Sequence, residues 1–512
     1  MYKKVTSASL RGIDGYLVAV EVDVSEGFPS FNLVGLPDSS IKEAIERVRT
    51  SVKNTSITFP YKRITVNLSP ADVKKEGSYF DLPIALGILA CIGEIQEENL
   101  EKTLVLGELS LNGELRKVNG ILPMMEAACK EGYKSCIIPC ENIAEASVIE
   151  GIAIVGASNL SEVIAYINGQ GIFEKDKQTI KTGFQEEIFK SHENNFKDIM
   201  GQESVKRALE VAAAGMHNVV IIGEPGSGKT VMAKCIPSIL PDLSFEESFE
   251  ITKIYSVAGQ MKKNQAMIVK RPFRSPHHTI SQTALTGGGS IPKPGEISLA
   301  HKGVLFLDEL PEFQKSVIEV LRQPLEDNEI TLSRSKISLT YPADFMLICS
   351  MNPCPCGYYP DNNRCTCTPL QIKNYLGKVS GPLLDRIDIH ITANKIEFDK
   401  ISEARESEKS EEIRKRVVKT HQIQRKRITD GLGYFNAGLN ISQINKYCRI
   451  KGEALELIKN AFEKLGLSAR AYHRILKVAR TIADMEESEE IGAKHIAEAI
   501  SYRTLDRKYW TY

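Results

Sequence analysis

The sequence carries no net charge: 65 lysines and arginines balance 65 aspartates and glutamates across 512 residues. No global field therefore advertises a nucleic-acid or membrane partner, and any such site has to be a local patch. There is no apolar run of the roughly 18 residues that a membrane-spanning helix needs. The opening residues Met1, Tyr2, Lys3 and Lys4 begin no apolar signal core, so a soluble, cytoplasmic protein without a membrane partner is expected. Internal repeats and low-complexity tracts are also missing, which excludes a repeat array. The eleven cysteines do not make a disulfide framework in a chain of this size, and four of them cluster, which argues for metal. The length suggests roughly two to four domains.

What is present begins with a phosphate-binding loop: Gly223, Glu224, Pro225, Gly226, Ser227, Gly228, Lys229 and Thr230, directly after the apolar run Val219, Val220, Ile221, Ile222. Glycines let backbone N–H groups wrap a triphosphate, and the first N–H groups of the following helix favour an anion. Lys229 is placed to reach the β/γ-phosphates, and the Thr230 hydroxyl to ligate Mg²⁺. A second motif follows at Val304, Leu305, Phe306, Leu307, Asp308 and Glu309. Four apolar residues fit a strand buried on both faces of a parallel sheet. Asp308 would hold the Mg²⁺ shell, and Glu309 would polarise the attacking water as general base. ATP binding and hydrolysis are expected.

Three regions separate along the chain. Residues 1–168 alternate β-type and helical runs, a mixed α/β module. Residues 169–195 lack sustained apolar periodicity and read as a linker. An ATPase core spans 196–395, and 396–512 turn helical, with apolar spacing at Ala454, Leu457, Ile458 and Ala461.

Cys354, Cys356, Cys365 and Cys367 lie within fourteen residues, bridged by a turn-rich stretch holding Gly357, Pro360 and Asp361. Two close pairs joined by a turn suit a tetrahedral site with four thiolate ligands. Structural Zn²⁺ is the expectation; reactive or merely buried thiols are the alternative. The segment 328–341 alternates like a hairpin with a basic tip at Arg334 and Lys336. His277 and His278, adjacent to each other, read as packing or interface residues rather than metal ligands.

The runs Phe196 to Gln202, Arg274 to Thr279, Gly287 to Glu296 and Leu299 to Leu310 resemble the magnesium-chelatase-like AAA+ ATPases, specifically the YifB/ComM branch, and the resemblance covers essentially the whole chain. It implies a doubly wound P-loop ATPase core, a Lon-protease-like N-terminal α/β domain of ribosomal-protein type, and a C-terminal helical lid. It further implies a homo-hexameric ring that acts on single-stranded or branched DNA as a helicase promoting branch migration, with recombination proteins as partners. Motors that remodel a protein or insert a metal, and nucleotide-gated scaffolds, are the alternatives.

By the same resemblance Asn352 matches sensor 1, Arg386 the arginine finger supplied to a neighbouring subunit, Arg470 sensor 2 with Arg474 as fallback, and Ile199 the adenine contact. Arg334 and Lys336 match the hairpin that ring-shaped relatives point into a central pore, where a belt of positive charge can follow a phosphate backbone. In the N-terminal module, Tyr79 stands where Lon-type proteases carry the serine, and the lysine is missing from 119–125. Without that base the Ser78 hydroxyl stays weakly nucleophilic, so proteolysis is not expected.

Overall fold

The computed structural model describes residues 2–170, 194–289, 292–334, 337–394, 407–427 and 435–503. By its contacts the chain divides into two compact units, Met1–Phe189 with Ser244–Val269, and Lys190–Leu243 with Lys270–Tyr512.

In the first unit, β1 (Tyr2–Arg11) and β2 (Asp14–Ser25) form an antiparallel hairpin. With β3 (Ser30–Val34), β4 (Arg63–Ser69), β5 (Thr103–Val105), β6 (Ser135–Pro139) and β7 (Ala153–Ala157) they make a seven-stranded mixed sheet, ordered β3-β4-β2-β1-β5-β6-β7. Alternate residues of β2 point to opposite faces. Val18, Val20, Val22 and Val24 are buried on one face. Helix Asp81–Ile92 lies so close to it that a Cβ on Gly87 would sit 2.4 Å from Val22. Beyond Asp81 at its start this helix is apolar all round, and it buries every residue except Ile92, as a helix inside a core must. Gly15, on the other face, lets helix Ile121–Lys130 approach until a Cβ would stand 2.2 Å from the Pro123 carbonyl.

Residues Ser244–Val269 fall inside the 196–395 span read as ATPase core, yet their contacts place them in this first unit. Helix Phe245–Ala258 starts with a capping box of Ser244 and Glu247. Lys253 Nζ reaches Glu126 Oε2 at 2.9 Å, and Lys117 Nζ donates to the Met261 carbonyl at 3.0 Å.

The second unit is built on five parallel strands: β8 (Val219–Gly223), β9 (Phe273–Arg274), β10 (Val304–Leu307), β13 (Met346–Met351) and β14 (Ile389–Ala393), ordered β9-β10-β13-β8-β14. A separate antiparallel hairpin, β11 (Glu329–Arg334) and β12 (Ile337–Pro342), lies between β10 and β13 in sequence. Every residue of β8, β10 and β13 is buried, which matches their almost wholly apolar runs. The C-terminal helices share the sheet's core: Val417, Ile475, Val478 and Ile482 belong to the same buried cluster as Val219, Phe306 and Ile348. On helix Ser410–Arg427, Gln424 Nε2 donates to the Ala214 carbonyl at 2.7 Å, and His421 Nε2 lies 2.9 Å from that of Ala213. These contacts occupy carbonyls at the end of helix Glu203–Gly215 that have no intrahelical donor. Among the described residues no helix is long and apolar enough to cross a membrane.

Candidate active site

In an open parallel sheet, ligands settle beyond the carboxyl ends of the strands. The register brings three such ends together, because β8 pairs with β13 and β13 with β10. The phosphate loop leaves β8, Asn352 leaves β13, and Asp308 leaves β10.

Helix Lys229–Cys235 starts inside the loop, with Gly226 at φ 76° and Gly228 at φ 83°. Both are left-handed values that a Cβ would oppose. Lys229 Nζ donates to the carbonyls of Gly223 at 2.8 Å and Glu224 at 2.9 Å, and to Asn352 Oδ1 at 3.2 Å. Burial lowers its pKa, with Asp308 and Glu309 pulling the other way. Thr230 Oγ1 donates to Asp308 Oδ2 at 2.7 Å. The pair presents two hard oxygen ligands of the kind Mg²⁺ requires. Asn352 and Lys229 therefore meet, as do Thr230 and Asp308, the two residues read from the motifs as Mg²⁺ ligands.

Two partners were missed in the sequence. Ser350 Oγ donates to Asp308 Oδ1 and fixes the second carboxylate oxygen; its only signal was a hydroxyl in an otherwise apolar strand. His278 Nδ1 lies 3.7 Å from Glu309 Oε2, and the His277 ring stands beside that of His278 at 4.1 Å. Glu309 itself takes φ 55°, a conformation that costs a non-glycine residue about 1–3 kcal/mol. Its side chain is 55% exposed, so the carboxylate is open to a water. Gln202, also at positive φ, straps the loop through its amide to the Ser227 and Asn394 carbonyls. Ile199 is buried in the core.

Arg386 and Arg470 are not brought to this crevice. Val219 pairs with Ile389, and Gly223 with Ala393, so residues just before β14 lie at the end of the sheet away from the loop. At about 3.3 Å per residue, the length of β14 separates them by roughly 16 Å. Arg386 donates to the Pro382 carbonyl at 2.6 Å and to Glu326, while its Nε has no partner among the described residues. Its guanidinium pKa is lowered by burial, opposed by Glu326 and reinforced by Arg322, Arg470 and Arg474. Arg470 is exposed on the first turn of helix Ala469–Met485. Arg474 is committed to Asp388, which also sits 3.0 Å from His217 Nδ1.

Cys354, Cys356, Cys365 and Cys367 converge, their sulfurs all within 4.8 Å of one another. Arg334 ends β11, paired with Ile337 across the hairpin, and Lys336 lies outside the described residues. In the first unit Tyr79 is buried with its hydroxyl 3.0 Å from Ser9 Oγ, and Ser78 donates to Glu108.

Three family models match the chain: magnesium chelatase, subunit ChlI, over residues 195–401; subunit ChlI of Mg-chelatase over 20–142; and the ChlI C-terminal model over 407–503. A competence protein ComM from Haemophilus influenzae is 43% identical, across 98% of this chain and 97% of its own. The Escherichia coli protein YifB is 42% identical over the same shares. A magnesium-chelatase subunit ChlI from Guillardia theta is 28% identical over 31% of this chain and 51% of its own. With end-to-end similarity of that order, the chain belongs to the magnesium-chelatase-like YifB/ComM family.

Proposed function

We propose that the chain is an ATP-hydrolysing motor that works as a ring of identical copies, six by the family's habit, and drives branch migration of DNA during recombination and uptake of external DNA. One observation carries the ring: the phosphate loop and Arg386 occupy opposite ends of one sheet, so no single copy completes the site. A residue needed from the next copy makes a head-to-tail interface, and such interfaces close into rings when the rotation permits.

Within this reading Lys229 holds the β/γ-phosphates, Glu309 takes a proton from the attacking water and Asn352 orients that water. Arg386, with Arg470 beside it, reaches the neighbouring copy's γ-phosphate and neutralises charge as the bond breaks. A Mg²⁺ ion held by Thr230 and Asp308 would supply further charge neutralisation at the phosphates. Arg334 and Lys336 at the hairpin tip track the phosphate backbone. The DNA reading is supported by the hairpin's basic residues and by the near-complete similarity to a relative named as a competence protein.

The chelatase name of the matching models favours a second reading, a motor that remodels a protein partner or inserts a metal. ATP turnover without DNA, with single strands, with duplex and with a four-way junction separates the two, using Glu309→Gln as the blank. Stimulation by single strands or the junction, absent in the blank, is expected. Turnover indifferent to every DNA would sink the DNA reading in favour of a partner protein.

A further inference from the structure

We infer that Cys354, Cys356, Cys365 and Cys367 bind one Zn²⁺ ion per chain, and that this metal knot braces the phosphate loop. The sulfur of Cys354 lies 3.3 Å from that of Cys356 and 3.8 Å from that of Cys365, and the last two are 3.6 Å apart. A tetrahedron with Zn–S bonds of about 2.3 Å sets its sulfurs about 3.8 Å apart, so the four need only small shifts to close on an ion. All four are free thiols. A set of four sulfurs selects zinc over the hard cations that suit Thr230 and Asp308. The Tyr359 N–H donates to Cys354 Sγ at 3.4 Å, the kind of outer hydrogen bond that orients a thiolate ligand. Between β13 and helix Pro369–Leu376 the chain forms only turns and irregular backbone. The sulfur cluster is therefore what can hold this loop to one shape.

That shape bears on the nucleotide site at two points. Gly357 lies against Pro225 of the phosphate loop, where a Cβ would come within 2.5 Å of the proline ring. Arg364 is held over the Tyr358 ring, 4.0 Å from its centroid, and donates to Glu224 Oε2 at 2.9 Å. The same loop begins just after Asn352, which meets Lys229.

The brace rests on the nucleotide reading of the phosphate loop; the zinc site does not. The test combines elemental analysis of the full-length protein with titration of a fluorescent ADP analogue. One zinc per chain is expected in the wild type. The double variant Cys356→Ser, Cys367→Ser should carry none and bind the analogue at least about tenfold more weakly. Should that variant fail to fold, zinc is stripped from the wild type with an organomercurial and restored with ZnCl₂ after thiol reduction; affinity should fall and return. Arg364→Ala should keep its zinc and lose about fivefold in affinity, roughly 1 kcal/mol at 1.4 kcal/mol per tenfold. Lys229→Ala should keep its zinc and lose the analogue.

A wild type that carries no zinc and takes up none from ZnCl₂ overturns the metal site. Arg364→Ala binding like the wild type overturns the brace. A wild type that holds zinc but binds no analogue overturns the nucleotide reading, and the brace with it, while the zinc site stands.

Discussion

The two ends of the second unit's sheet hold opposite chemistry. At the carboxyl ends of β8, β10 and β13, side chains with oxygen ligands surround one lysine, and Glu309 is half exposed with the His278 imidazole beside it. At the amino ends of β8 and β14, arginines gather and acids bind them. Burial would push the Asp388 carboxyl up, but Arg474 and His217 outweigh it and hold it well below the usual carboxylate range. Arg386 lies between these extremes, paired to Glu326 yet with Nε unpartnered among the described residues. One end is thus arranged to receive a phosphate and its ion. The other pins its guanidinium groups on acids, Arg386 on Glu326 and Arg474 on Asp388.

The most severe way to break this comparison is to disable each end separately. Glu309→Gln and Arg386→Ala should each lower ATP turnover about 10³-fold. If the ends serve different copies, mixing the two inactive variants restores part of the turnover in a steady-state assay. Mixtures as inactive as their components would make Arg386 a structural residue.

The amino end also has a pH signature. Burial pushes the His421 imidazole down to about 4, below its ordinary value of about 6.5. A base whose folded pKa is depressed contributes stability above pH 6.5 that is lost as pH falls through 4. The loss should approach about 3 kcal/mol, at 1.36 kcal/mol per pH unit. Urea unfolding at pH 7 and pH 4 measures it, and His421→Gln should flatten the dependence.

A smaller change at the carboxyl end is Ser350→Ala, which frees one Asp308 oxygen. The Mg²⁺ concentration for half-maximal turnover should rise about tenfold, in the range found for residues that orient a metal ligand. The mildest is Glu326→Gln, which loosens Arg386; thermal stability should fall by no more than about 1 kcal/mol with zinc content unchanged.

The carboxyl end was largely legible in the sequence. Its strands are apolar runs, broken only by Ser350, each followed at once by the residues read as chemistry-bearing, so motif and geometry coincide in Lys229, Thr230, Asp308 and Asn352. The partners that orient those residues were not legible. Ser350 is one hydroxyl among apolar neighbours, and Glu326 meets Arg386 across sixty positions of sequence. The cysteine cluster announced itself by spacing, whereas its bearing on Glu224 and Pro225 depends on how a turn-rich loop folds back. Helix Phe245–Ala258 shows why boundaries were harder: its sequence reads as a helix but does not say whose core it joins. Lys75, in the charged run Lys74, Lys75 and Glu76, is buried with its ammonium on the Val73 carbonyl. Arg334 keeps its hairpin reading only as a position, and Lys336 lies outside the described residues.

The excursion of Ser244–Val269 into the first unit changes how this protein can be cut. The chain passes between the units three times, after Phe189, Leu243 and Val269, so one cut between them leaves two covalent connections. Deleting the N-terminal 189 residues would not release a clean ATPase either. It would strip Met267 of Leu122 and Val148, against which it is packed, and leave an apolar flap that invites aggregation. The first unit is thus spliced into the second unit's own chain path, and a shortened form that leaves no apolar flap has to lose Ser244–Val269 as well.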